Sequence, residues 1–68
     1  MGYDRFWMIT NAAIILSDAA LARTQDAKQA AIEQIEQWLF FAMHHDMDQK
    51  TVATLKDLLN TAKQLEIN

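Results

Sequence analysis

Three α-helices packed as one small bundle are what this sequence predicts, and three observations carry the prediction. Proline is absent and the only glycine is Gly2, so nothing interrupts the chain as a turn or a strand interior would. Alanine and leucine are the commonest residues, with glutamine among the next, and all three favour the helix. Cap residues and changes in the phase of the apolar pattern then divide the chain near Thr24 and near Asp46 to Asp48. The expected architecture is all-α, with helices over about 4–23, 25–45 and 47–66 in a single domain spanning 1–68. Connections this short make consecutive helices antiparallel neighbours.

The first helix starts at Asp4, whose carboxylate is placed to accept backbone N–H bonds as an N-cap. At about 100° per residue, one broad face carries Phe6, Ile9, Ala13, Leu16 and Ala20 and continues through Met8, Ala12, Ile15 and Ala19. On the other side Trp7, Ile14 and Leu21 follow one another at seven-residue spacing, edged by Thr10, Asn11, Ser17 and Asp18. An apolar row bordered by small polar residues reads as a helix-to-helix seam. The expectation is a homodimer formed through Trp7, Ile14 and Leu21. The competing expectation is a protomer that wraps its first helix from both sides.

For the second helix, Thr24 to Asp26 supplies the start, and Asp26 with Gln29 has capping-box spacing. Its main stripe is Ala31, Ile32, Ile35, Trp38, Leu39, Ala42 and Met43, ending near His44 or His45. The other side bears Glu33, Gln34 and Gln37, but also Phe40 and Phe41 beside His44. Consecutive aromatics cannot share one helix face, so at least one leaves the main stripe. Phe40, Phe41 and His44 are therefore the candidate surface for a different protein, since aromatics are enriched at binding hot spots. Cover by the third helix or by a partner protomer is the alternative expectation for them.

The third helix starts within Asp46 to Asp48, where Asp46 and Gln49 repeat the capping-box spacing. Val52, Leu55, Leu58, Leu59, Ala62 and Leu65 form one stripe opposite Lys56, Asp57, Asn60 and Gln64. Such plain amphipathicity marks a lid over a core.

Size turns these faces into an argument about assembly. A 68-residue chain buries a small fraction of its surface, and one core of this size supplies about 3–5 kcal/mol. Cysteine is absent, which removes disulfides and the thiolate zinc sites that staple many small domains. Self-association remains, and an apolar fraction of 51% provides its material. The cysteine-free composition also fits a reducing, cytoplasmic location.

Charge narrows the partners. The net charge of −3, with six scattered basic residues, argues against nucleic acid, whose phosphates call for clustered Lys and Arg. A helix-turn-helix reader is a poor match as well, because the second helix has Glu33 and Glu36 among its glutamines and Lys28 as its only base. The carboxylates are too few and dispersed for a DNA mimic. Phe6 to Ala22 ends in a small-x-small triplet of the kind signal peptidase cuts, but Asp4 cancels Arg5 and polar residues interrupt the apolar run. Neither a signal peptide nor a membrane span is expected.

Chemistry finds no foothold. There is no Gly-rich phosphate loop, Ser17 is the only serine, and both histidines lie at the far end of the next helix, so no nucleophile-base pair can be built. Glu33 and Glu36 share a helix surface and read as solvated. The run His44-His45-Asp46-Met47-Asp48 holds metal-ligand types, yet adjacent helical residues diverge, and helical metal pairs use a spacing of four. The histidines read better as a helix end and the aspartates as the next start. No catalytic residue, metal or cofactor is expected.

In size and helical character the chain resembles the small all-helical accessory proteins of the early region of temperate lambdoid phages. That resemblance is carried by no motif and transfers no functional residue. It implies a role in host takeover or developmental control. The expected function is accordingly that of a non-enzymatic helical dimer acting as a protein-binding adaptor or modulator. A DNA-associated regulator or antitoxin-like protein, and a structural subunit of a larger assembly, are the alternatives.

Overall fold

The computed structural model describes residues 4–68. Three helices, α1 (Arg5–Ala22), α2 (Gln25–His44) and α3 (Gln49–Lys63), account for its regular structure, with no strand among the described residues. The expected all-α, three-helix class is thus observed. The edge of Trp7 near the start of α1 meets the ring of Trp38 in the second half of α2, with centroids 5.8 Å apart. Lys28 near the start of α2 reaches the carbonyl of Leu65 beyond the end of α3. Consecutive helices therefore run in opposite directions.

Each helix begins on an extended residue whose side-chain oxygen takes an otherwise unbonded N–H of the first turn. Asp4 accepts from Trp7 at 2.7 Å, Thr24 from Ala27 at 3.2 Å and Asp48 from Thr51 at 2.7 Å. Neither of the two expected capping boxes forms. Asp26 lies inside the first turn of α2, where Gln29 donates instead to Glu33, and Asp46 sits in the left-handed region at φ 53°. A cap needs extended backbone, and Thr24 and Asp48 are the residues that have it.

α1 and α2 end close to where the sequence predicts, and α3 ends earlier. Arg23 takes the left-handed conformation (φ 54°) and donates its N–H to Ala19, closing α1 in the position that glycine usually fills. α3 stops at Lys63 rather than near Glu66, because Gln64 tightens onto the carbonyl of Thr61. The tail then returns to the α1–α2 corner. There Asn68 donates to the carbonyl of Arg23 at 3.0 Å, and the guanidinium of Arg23 lies 3.5 Å from Glu66. The Lys28 ammonium bonds the Leu65 carbonyl at 3.0 Å, placing a cation where the carbonyls past α3 need one.

The Asp48 carboxyl is held below its ordinary value of 3.8 first by the nearby Thr51 hydroxyl and then by the Thr51 N–H, with Arg5 and Lys50 adding attraction and desolvation opposing. That hydroxyl is fully buried and completes no hydrogen bond, so it acts on Asp48 by proximity. Because the folded value lies below the unfolded one, the cap's contribution is complete above about pH 3.8. It shrinks as the pH falls further and is gone once the folded value is passed. Asp48→Asn, which still offers a capping oxygen, is expected to lose less stability than the parent as the pH falls below about 3.8. Urea melts of both proteins across that range measure the difference.

The core joins Met8 and Ala12 of α1, Ile35 and Ala42 of α2, and Leu55, Leu59 and Ala62 of α3. The stripe read on α3 is inside, with Leu55, Leu59 and Ala62 buried and Val52, Leu58 and Leu65 half-buried. Thr51, outside that stripe in the sequence reading, is buried as well. On α2 the stripe holds except for Met43, which is 52% exposed. Met47, from the α2–α3 turn, packs against the core.

The broad face expected on α1 is cut in two. Met8, Ala12 and Ala19 are buried and Ile15 and Leu16 half-buried, whereas Phe6, Ala13 and Ala20 are exposed. A helix in a three-helix bundle has only two neighbours, which leaves much of its circumference to solvent. Two of the three residues that α1 buries, Met8, Ala12 and Ala19, are alanines, whereas Phe6 is 80% exposed.

Candidate functional site

What the bundle leaves outside defines the candidate site. The large apolar side chains that are fully buried are Met8, Ile35 and Leu55, while Phe6, Trp7, Ile14, Leu21, Phe40, Met43 and Ile67 are exposed. More large apolar residues are thus outside than fully inside. Six of these seven gather on two surfaces, and Ile67 stands on the tail after α3.

The larger surface is the outer half of α1. The row of Trp7, Ile14 and Leu21 lies there, 42%, 54% and 81% exposed respectively. Phe6, Ala13 and Ala20 extend it on one side, and the exposed Thr10 and Ser17 lie between the two strips. The only charged residues of α1 are Arg5 and Asp18. Arg5 lies 3.9 Å from Asp48 of α3, and helical phase sets both residues at the margins of this surface. Among the small polar groups, the Asn11 amide is turned back onto the carbonyl of Trp7 at 2.7 Å. About half of the helix circumference is therefore exposed, apolar or weakly polar, and uncharged.

The second surface is the aromatic end of α2. Phe40 and Phe41 separate, as adjacent helical residues must. Phe41 is half-buried against the core and stacks on the His45 ring at 4.2 Å. Phe40 is 75% exposed. Cover within the chain is the outcome for Phe41 and not for Phe40. His44, the last residue of α2, is exposed with its ring edge-on to His45 at 5.5 Å. The structure thus leaves Phe40 and His44 outside and folds Phe41 inward.

Beside Phe40 an open groove of about 660 Å³ runs between α2 and α3. Leu39, Met43 and Leu59 supply its apolar surface, and Glu33, Glu36 and Gln37 its polar edge. The sequence reading had Glu33 and Glu36 as merely solvated and Met43 as core. What it missed was that these α2 side chains and Leu59 of α3 line one open depression. The phase of Glu33, Glu36, Phe40 and Met43 on α2 was the available signal.

Among the described residues, no group of three or more His, Asp or Glu side chains converges in a way that could hold a metal ion. Nor is any helix of these residues long and apolar enough to cross a membrane. Comparison with known protein families, with curated proteins and with solved structures finds no match to this chain.

Proposed function

We propose that the protein is a non-enzymatic interaction module that pairs with a second copy through the outer face of α1 and uses the dimer to contact a different protein. One observation carries this reading. Among the described residues seven large apolar side chains are exposed, and the longest run of them, Trp7, Ile14 and Leu21, is aligned on one face of one helix. Covering such side chains is favourable by about 1.5–3 kcal/mol each when burial is complete.

A second copy suits this face for an electrostatic reason. Each protomer carries a net charge of −3, so two copies repel wherever charged surfaces meet. The uncharged half of α1 is where they approach without that penalty. A typical stable interface covers about 800 Å² per partner, roughly a sixth of the 4774 Å² that the protomer exposes. An 18-residue helix is about 27 Å long, which is long enough to form the spine of such a contact.

Phe40 then faces outward for a protein partner. The net charge of −3 supports a protein over DNA as that partner, and three of the six cations are already engaged within the protomer, Arg5 and Arg23 in ion pairs and Lys28 on a carbonyl. In cellular terms the reading is that of a modulator acting by contact, of the kind that steers phage development or redirects a host process. Light scattering across a dilution series tests the first half directly. A mass of twice 7.8 kDa that persists to about micromolar concentration supports it. A mass of 7.8 kDa throughout that range overturns it.

A further inference from the structure

The groove between α2 and α3 has its own chemistry, separate from the face of α1. Its apolar surface is formed by Leu39, Met43 and Leu59, with Phe40 standing at its edge. Phe40 is 75% and Met43 52% exposed, so two large apolar side chains stand in water beside a depression that neither fills. Glu33 and Glu36 line the α2 side, and neither enters an ion pair with another described residue. Glu33 only accepts a long 3.5 Å bond from Gln29. The groove therefore has an acidic edge on α2 beside its apolar residues.

We propose that this groove receives an amphipathic helix of another protein, apolar along one stripe and basic along the flank that meets Glu33 and Glu36. The inference rests on the adaptor reading above and names the class of partner. An apolar stripe set into a groove between two helices is a common way to recognise a helical segment. The two unpaired carboxylates select its charge, because rim charges attract a complementary flank and repel a like one. The overall charge of −3 acts in the same sense. Phe40 and Met43 meet the apolar stripe. A second copy of this chain is a poorer occupant, because α1 bears one cation, Arg5, and it lies beside Asp48.

The test uses the intact protein, isotopically labelled, and two synthetic helical peptides of roughly 14–18 residues. Both carry leucine at helical spacing. One has lysine on one flank and glutamate on the other, and the control has glutamate on both. Backbone amide shifts are expected to move saturably on adding the mixed peptide and to cluster at Glu33 to Met43 and around Leu59. The control is expected to bind at least about tenfold more weakly. Phe40→Ala is expected to weaken the mixed peptide about tenfold or more. The double variant Glu33→Lys with Glu36→Lys should prefer the all-glutamate control, a reversal that loss of folding does not produce. Equal binding of both peptides, shifts confined to the face of α1, or no saturation overturns the proposal. So does a change of solution mass in the Phe40 variant with no change in peptide binding. The mass is recorded in the same samples, so a dimer that ignores the peptides and a monomer that binds them separate failure of this inference from failure of the self-association reading.

Discussion

Ile14→Asp is expected to abolish the proposed dimer without loss of helical content. In the protomer Ile14 is 54% exposed and lies midway between Trp7 and Leu21, so a carboxylate there is hydrated and disturbs no core contact. In the proposed seam the same carboxylate would be stripped of water and placed near its symmetry mate. Burying an unpaired charge costs about 3–5 kcal/mol, which corresponds to more than about a hundredfold weaker association. Light scattering reads the mass, and circular dichroism reads the helices. A variant that keeps the parental mass and its concentration dependence would place the contact elsewhere, with the Phe40 surface next to be tested.

The second large effect lies in the core. Leu55 is fully buried among Met8, Ile35 and their neighbours, and truncating such a residue costs about 2–5 kcal/mol. A core of this size supplies about 3–5 kcal/mol in total. Leu55→Ala is therefore expected to leave the isolated protomer largely unfolded at room temperature. Association adds stability by mass action, so the variant should regain helical signal as its concentration rises. Thermal melts at two concentrations about a hundredfold apart measure this. Superimposable melts of a well-folded Leu55→Ala would show that the core is not the marginal element it is taken to be. A variant unfolded at every concentration would mean that association contributes little.

These two results probe different parts of the chain because the residues concerned were legible in different ways. Leu55 could be assigned to the core from spacing alone, since α3 has a single apolar stripe and charged residues opposite it. α2 was almost as clear, and the Phe40–Phe41 pair foretold that an aromatic would leave the stripe. Which aromatic left depended on where α1 and the turn after α2 lie, and those positions placed Phe41 against the core and His45 over its ring. α1 was the least legible. Its apolar residues surround most of the helix, so periodicity cannot say which sector faces inward. Ala12 and Ala19 are buried while Phe6 is 80% exposed, an outcome opposite to the order of side-chain size.

The groove was illegible for a related reason. Glu33, Glu36 and Met43 belong to α2 and Leu59 to α3, and nothing along the chain relates their positions until the two helices pack. The number of helices, their approximate limits and the surplus of apolar side chains all follow from local rules, for caps, helix propensity and the spacing of apolar residues act within a few positions. The choice between Thr24 and Asp26, or Asp46 and Asp48, as the capping residue lay within that local reach and still needed the backbone conformation to decide it. The inward sector of α1, the return of the tail onto Arg23 and the juxtaposition of Phe40, Met43 and Leu59 needed the bundle. Each results from competition among several segments for the same small core, and such a competition is resolved only when all of them are in place.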